Sequence, residues 1–593
     1  MNNLDELKSF LTGNDNGIFL YSAPDTGGTS YLFTQPLREI KCDNADAVND
    51  ALKNIADFTQ NGYYAAGLMA YEAGYGLEKK FHNVKNTLEI PFLEFGVYKT
   101  PYIFKKLDIL PLLPFYKDRF CVSSFDFSEN FKTYKKKFSR IMKLINNGDT
   151  YQVNHCFNVN FHFQGNSASL FAALCTTQPV SYAAFIRIKN RTIISLSPEL
   201  FFSIKGRQIT MRPMKGTLLK NKTIKDPVRR LKNEKGMAEN IMIVDLLRND
   251  LGRICETGSI NAPKLFEVEE YRTLYQMTST VRGRLKGNAD FNNIITALFP
   301  SGSVTGAPKI SAMNIIHKTE KSPRGVYTGA IGFTSKEHSV FSIPIRTIEL
   351  ADNTGKMGIG SGIVHDSNAL PEYKECLGKA SFLTELENKY RIIESLLLKN
   401  GRYFLPNLHL KRMKKSASFF KIKFSAGFFR KTLADIRRKK PRGEFKVRVM
   451  LSPGGKISAK AVRLSSMAGG KTAISNLKID SSNIYLYHKT ENRKFYDSDF
   501  NKYAKKGFAD VIYLNENNEV TEAHSSNIFA EIKGIFYTPP VSCGLLPGTF
   551  REYLLKKNPS LYKERVLHAV DLVNADNLYL VNSVRGFRKV TLV

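Results

Sequence analysis

Near residue 389 the alternation of strand-like and helix-like segments restarts, and no Gly/Ser-rich or Pro-rich linker marks the restart. Gly401 opens the new alternation, which runs on to Val593. Such a chain is expected to fold as an α+β protein of two abutting units, residues 1–389 and 390–593. With 593 residues and 42% hydrophobic side chains, both units can bury a core, which excludes collagenous, fibrous and wholly disordered states. Periodicity predicts helices at 45–58, 131–146 and 235–247, and strands at 153–163, 183–188 and 192–196. A Pro-punctuated stretch, 91–114, separates the first hundred residues from the helix at 131. Another long helix is predicted from residue 371 towards 398, with Asn368 as its cap and a break near Asn388.

Lys and Arg number 87 against 54 Asp and Glu, a net charge of +33. These cations are scattered, with only short clusters such as Lys135-Lys136-Lys137, so they read as a solvated surface and no nucleic-acid partner is expected. No run of about eighteen apolar residues occurs, and no basic stretch leading into an apolar one opens the chain, so neither a membrane partner nor a signal peptide is expected. Seven dispersed cysteines without C-x-x-C spacing argue for reduced thiols and a cytoplasmic location. There is no H-x-x-x-H pair and no Walker A motif, and Gly358-x-Gly360-x-Gly362 lacks the spacing of a dinucleotide-binding turn.

Within the first unit, Glu372, Glu375 and Lys379 stand at i, i+3 and i+7 of a predicted helix and share one face. That spacing alone also describes a solvated face with a salt bridge. Beside it, residues 358–364 make a poor surface loop and a good backbone cradle, because glycines let main-chain amides approach an anion closely. Glu239 lies in an otherwise apolar helix turn and needs a partner, which Mg²⁺ shared with Glu372 and Glu375 would supply.

Gly148-Asp149-Thr150-Tyr151-Gln152, Ser197-Pro198-Glu199, Pro213-Met214-Lys215-Gly216-Thr217 and Val244-Asp245-Leu246-Leu247-Arg248-Asn249-Asp250 occur in that order in this unit. Then come Pro300-Ser301-Gly302-Ser303-Val304-Thr305-Gly306-Ala307-Pro308-Lys309, Ile345-Arg346-Thr347 and the stretch from Gly360 to Ser367. In this order they resemble the chorismate-utilising enzymes, over about residues 60 to 385. The resemblance implies a large α+β chorismate-binding sandwich, with Mg²⁺ on Glu239, Glu372 and Glu375. It further implies carboxylate grips at Thr217, Tyr327, Arg346, Lys379 and the Gly360 and Gly362 amides. Relatives that add water to the ring use a lysine where this chain has Gln152. Anthranilate synthases carry a small residue where this chain has Lys215, and aminodeoxychorismate synthases carry lysine. The resemblance therefore implies that Lys215 attacks ring carbon 2 with Glu199 as general acid, before ammonia adds at carbon 4. Gln276 stands where many relatives have histidine, so no histidine role carries over there. No cysteine lies in a Gly-x-Cys-x-Gly setting, so ammonia is expected from a separate glutamine amidotransferase subunit.

In the second unit, Glu394-Ser395-Leu396, His409-Leu410-Lys411-Arg412 and His488-Lys489-Thr490-Glu491-Asn492-Arg493 form another ordered set. Glu522-Ala523-His524-Ser525-Ser526-Asn527, Leu546-Pro547-Gly548-Thr549 and Asn582-Ser583-Val584-Arg585-Gly586 complete it. The set resembles the fold-type IV pyridoxal-phosphate enzymes. It implies Lys489, at the end of a predicted strand over 484–488, as the cofactor lysine, and Glu522 against the pyridine nitrogen. Arg412, Thr549 and Ser583 would hold the phosphate, with the Thr549 amide at a helix N-terminus. Relatives of this type usually dimerise, so a homodimer through this unit is expected. Joined to the first unit, the resemblance implies conversion of chorismate to 4-aminobenzoate and pyruvate. The alternative is an anthranilate-type synthase joined to a branched-chain or D-amino-acid aminotransferase.

Overall fold

The computed structural model describes all residues except 1–2, 82–87, 89, 114–115, 220–225, 233, 271–273 and 466–469. Its chain forms two compact units. The first comprises Met1–Pro114, Phe125–Phe163 and Ser167–Leu386; the second comprises Phe115–Ser124, Gln164–Asn166 and Glu387–Val593.

Two antiparallel sheets form the first unit. One runs from Gly306–Ala307 through Gln152–Gly165, Thr354–Val364, Thr347–Ala351, Arg191–Ser197 and Tyr182–Ile188 to Gly17–Tyr21, Thr29–Thr34 and Tyr102–Lys105. The other runs from Met214–Leu219 through Leu274–Arg284, Gln208–Arg212, Leu200–Lys205 and His338–Ser342 to Ala330–Thr334, Tyr64–Met69, Leu93–Tyr98 and Arg38–Cys42. Ile18, Phe33 and Ile186 of the first sheet share a core with Leu68, Ile331 and Phe333 of the second, so the sheets stack as a sandwich. The second sheet's other face is covered by helices Val48–Gln60, Glu234–Gly252 and Phe291–Leu298. Helix Phe131–Asn146 covers part of the first sheet, starting where Asn130 accepts a hydrogen bond from Thr133 N (3.0 Å). It buries Tyr134, Phe138, Ile141 and Ile145, the spacing of one helical face.

Several expectations are corrected. The stretch 91–114 holds two strands, Leu93–Tyr98 and Tyr102–Lys105. The helix capped by Asn368 ends at Lys379, and Ile392–Lys399 is a strand whose burial is nearly continuous. A short apolar run buried on both faces reads alike as helix or strand, and tertiary pairing with Glu444–Leu451 decides it. Residues 358–364 belong to strand Thr354–Val364. Residues 484–487 form a 3-10 turn, because Asn483 caps it by accepting from Tyr485 N (2.8 Å).

In the second unit, helices Pro406–Phe419 and Ala426–Lys439 pack on a four-stranded sheet around Leu396, Met413, Leu433 and Val447. A separate eight-stranded sheet holds Val520–Ala523, Asp510–Asn515 and Asn577–Asn582. Among the described residues no helix is long and apolar enough to cross a membrane.

Candidate active sites

Lys215 sits on Met214–Leu219, where the register with Leu274–Arg284 shifts between Lys215 and Thr217. Gly216 takes the left-handed conformation there (φ +69°), and its carbonyl accepts from Gln276 Nε2 (2.8 Å). Such a bulge re-aims a side chain out of the ladder. Burial holds the Lys215 ammonium below the ordinary lysine value; Glu239, Glu199 and Glu375 oppose this, while Lys379 adds to it. The lysine therefore lies among charges from other elements of the unit.

Glu199 comes two residues after Ser197, whose hydroxyl accepts from Glu199 N (3.1 Å) and donates to Ile343 O (2.6 Å). The Glu199 carboxyl is 4% exposed and accepts from Ser303 Oγ (2.8 Å). Burial pushes it up to about 7, against the hydrogen bond from Ser303 and the charge of Lys215. A carboxyl so tuned can give a proton near neutral pH.

Helix Ala369–Lys379 supplies Glu372, which accepts from Ser367 Oγ (2.8 Å), and Glu375, which pairs with Lys379 (2.8 Å). Burial raises Glu372 above the usual carboxylate range, and the charge of Glu375 raises it further. Lys379 also donates to Gly360 O (2.8 Å). Because that carbonyl points off the ladder, Gly360 is in a non-hydrogen-bonded pair with Cys156, and its N–H points off the ladder too. Gly358 and Gly362, two residues either way, share the orientation. A Cβ at Gly358 would lie 2.2 Å from the Tyr327 ring, and one at Gly360 would lie 2.6 Å from Cys156 Sγ. Glycine at 358 and 360 is thus required by packing.

Behind this strand lies a buried charge network. Arg324 donates to both Glu320 oxygens (2.9 and 2.8 Å) and to Asn154 O (2.6 Å), and His155 Nε2 lies 3.2 Å from Glu129 Oε2.

In the second unit Lys489 comes just after the 3-10 turn, and its carbonyl accepts from Ile393 N (2.8 Å). Burial, with Arg493 and Arg412 nearby, pulls its amine down to about 7 against Glu394 and Glu522. Glu522 lies on Val520–Ala523, the second strand of the hairpin begun by Asp510–Asn515, and accepts from Asn527 Nδ2 (3.3 Å). Burial pushes Glu522 up to about 7, opposed by Arg493 and Lys489. Lys489, Glu522 and Arg493 line one cavity.

The phosphate candidates converge on residues 394–395. Arg412 grips both Glu394 oxygens (2.8 and 2.7 Å), and His409 bridges Glu394 (2.6 Å) to Thr549 Oγ1 (3.2 Å). Ser583 donates to Ser395 O (3.2 Å). Although burial pushes Glu394 up, Arg412 and His409 hold it down at about 2. Thr549 opens helix Thr549–Lys557, capped by Gly548, where a Cβ would lie 1.9 Å from Asn527 Oδ1.

Residues 17–385 match the family model for chorismate binding enzyme. The chain belongs to that family. Residues 391–593 match the model for amino-transferase class IV. Aminodeoxychorismate synthase of Streptomyces pristinaespiralis is 39% identical over 257 residues, 42% of this chain and 35% of that protein. Aminodeoxychorismate synthase component 1 of Salmonella typhimurium is 37% identical over 264 residues, 43% of this chain and 58% of that protein. The chain therefore spans less than two thirds of either relative's length. Anthranilate synthase component I from Streptococcus pneumoniae TIGR4 shares the fold at 27% identity and a TM-score of 0.53, covering 62% of this chain and 91% of that one.

In this member of the family the fold gathers Lys215 with Glu199, Glu239, Glu375 and Lys379, and Glu372 joins them through Glu375. Tyr327 packs under Gly358. Arg346, strained at φ +52°, donates to Gln178 Oε1 (2.6 Å). Thr217 is on the Lys215 strand, but its side chain lies outside the described residues. Among the described residues no group of three His, Cys, Asp or Glu is arranged to hold a metal ion. Ser303, Glu394, His409, Arg493 and Asn527 stand in the sequence motifs without a role that the motifs alone assign; only their contacts reveal what they touch. No sequence signal marks Arg324.

Proposed function

We propose that this chain makes 4-aminobenzoate from chorismate in two steps, one in each unit. The observation that carries the reading is Lys215, shifted by burial towards the neutral amine and beside a Glu199 that holds its proton near neutral pH. In the first step the Lys215 amine bonds to ring carbon 2 while the carbon 4–oxygen bond breaks. Glu199 gives its proton to the departing hydroxyl, which leaves as water. Ammonia then bonds to carbon 4, the carbon 2–nitrogen bond breaks, and Lys215 departs as a neutral amine. The new ammonium returns a proton to Glu199. The product is 4-amino-4-deoxychorismate.

Glu239, Glu372 and Glu375 offer only carboxylate oxygens, a hard donor set that fits Mg²⁺. That ion takes about one or two protein carboxylates and fills its shell with water or substrate. Bound there, it would neutralise the ring carboxylate. The off-ladder amides of Gly360 and Gly362, with Lys379, Tyr327, Arg346 and Thr217, are the proposed grips on substrate carboxylates.

The second unit fits pyridoxal phosphate: a lysine amine near neutrality, a buried glutamate facing it, and a glycine-capped helix N-terminus beside Arg412. That cofactor supplies an electron sink for a carbanion. Lys489 takes the proton from carbon 4 of the aminated ring, the carbon 3–oxygen bond breaks as the ring becomes aromatic, and the departing enolpyruvate takes a proton back from Lys489 to become pyruvate. Glu522 would keep the pyridine nitrogen protonated, and Arg412, Thr549 and Ser583 would hold the phosphate. Ammonia comes from a separate glutamine amidotransferase, since no Gly-x-Cys-x-Gly occurs here. All seven cysteines are free, which suits a cytoplasmic enzyme. A homodimer through the second unit belongs to the same reading.

The test supplies chorismate, Mg²⁺, pyridoxal phosphate and ammonium without glutamine, and identifies products by mass. 4-Aminobenzoate with pyruvate is the expected result; anthranilate would overturn it.

A further inference from the structure

Two adjacent residues from far upstream tie down both ends of the segment that carries Lys489. Phe115–Ser124 is part of the second unit. Cys121 lies in its core with Leu396, Met413 and Val449, and Asn388 N donates to Val122 O (3.0 Å). From this anchored segment Arg119 Nε donates to Asp480 Oδ2 at 2.6 Å. The other Asp480 oxygen accepts from Ser482 N (3.1 Å) and Ser482 Oγ (2.6 Å), which starts the turn into Ile484–Tyr487. At the far end Asn492 Nδ2 donates to Asp118 Oδ1 (3.0 Å). Asn492 N in turn donates to Thr490 Oγ1 (3.2 Å), next to the lysine.

Residues 480–492 are thereby closed at both ends, by Arg119 at one and Asp118 at the other. Asp118, Asp480, Asn492 and Lys489 line the same cavity. The Arg119–Asp480 pair is largely withdrawn from water, with side chains 21% and 7% exposed, so salt screens it less than a surface pair.

We propose that Asp118 and Arg119 are positioning residues for Lys489, fixing residues 480–492 so that its amine stands in the cavity ready for the cofactor. This rests on reading Lys489 as the cofactor lysine. It assigns to the stretch matched by the chorismate-binding family a part in the second unit's site. Neither residue performs a chemical step; each acts through the geometry of the lysine-bearing segment.

The experiment uses the full chain with Asp118→Ala, Arg119→Ala and the conservative Asp118→Asn and Arg119→Lys. Apo-protein is titrated with pyridoxal phosphate and the bound cofactor's absorbance is monitored. Deuterium exchange at residues 480–492 is measured without cofactor, and chorismate consumption reports on the first unit. The alanine variants should bind pyridoxal phosphate roughly tenfold more weakly, as loss of a charge-assisted hydrogen bond implies. Exchange at 480–492 should quicken while chorismate consumption is unchanged. Asp118→Asn keeps an acceptor oxygen and Arg119→Lys keeps a charge, so both should recover towards wild type. Wild-type affinity and exchange in the alanine variants would overturn the proposal. So would loss of chorismate consumption alongside, which would mark general unfolding, or conservative variants as impaired as alanine. A wild-type chain that binds no pyridoxal phosphate, or binds it on another lysine, would overturn the reading of the site itself, and this proposal with it.

Discussion

Ser303 Oγ donates a 2.8 Å hydrogen bond to Glu199 Oε1 in a pocket where the carboxyl is 4% exposed. Burial and this hydrogen bond pull the Glu199 proton affinity in opposite directions, and burial wins, leaving it at about 7. Glu199 must be protonated to act as an acid, so the first step should fall off as pH rises through that value. Ser303→Ala removes a contact that favours the carboxylate. Its falling limb should move to higher pH by about one unit. A limb that stays put or moves to lower pH would show that Ser303 does not tune the acid.

Glu394 should be a stability determinant of the second unit. Its folded value, about 2, lies below the ordinary 4.5, so its contribution is fully present above 4.5 and is lost as pH falls towards 2. Glu394→Gln leaves Arg412 without its buried counter-charge, a loss of about 3 to 5 kcal/mol. Thermal melting of the second unit should show a wide gap between variant and wild type from about pH 5 to 8, narrowing below about 4.5. Equal melting temperatures near neutrality would refute it.

Metal removal should separate the two chemistries. Glu239, Glu372 and Glu375 all belong to the first unit. A chelator should stop chorismate conversion, yet leave conversion of supplied 4-amino-4-deoxychorismate unchanged. Loss of both activities, or of neither, would count against Mg²⁺ at these carboxylates.

Local signals carried the sequence reading as far as they reached. Helix Ala369–Lys379 was legible because Asn368 caps it and Glu372, Glu375 and Lys379 fall on helical spacing. Residues 392–399 were misread because Leu396, Leu397 and Leu398 satisfy either period, and only pairing with Glu444–Leu451 resolves them. The glycines at 358, 360 and 362 were legible as an approach to backbone; that they are strand residues depends on Gln152–Gly165, about two hundred positions upstream. Nothing local foretells Asp118 and Arg119, whose partners lie 374 and 361 residues away.

The central claim is that Lys215 and Lys489 act in sequence on one substrate, and paired variants test it most directly. Chorismate is supplied with Mg²⁺, pyridoxal phosphate and ammonium, and the products are identified by mass. Lys489→Ala should accumulate 4-amino-4-deoxychorismate, because the first unit is intact and no base removes the carbon 4 proton. Lys215→Ala should form none of it, while converting the same compound to 4-aminobenzoate when it is supplied from outside. Undiminished 4-aminobenzoate formation from chorismate by Lys215→Ala would contradict the covalent role of that lysine, and by Lys489→Ala would contradict the second step.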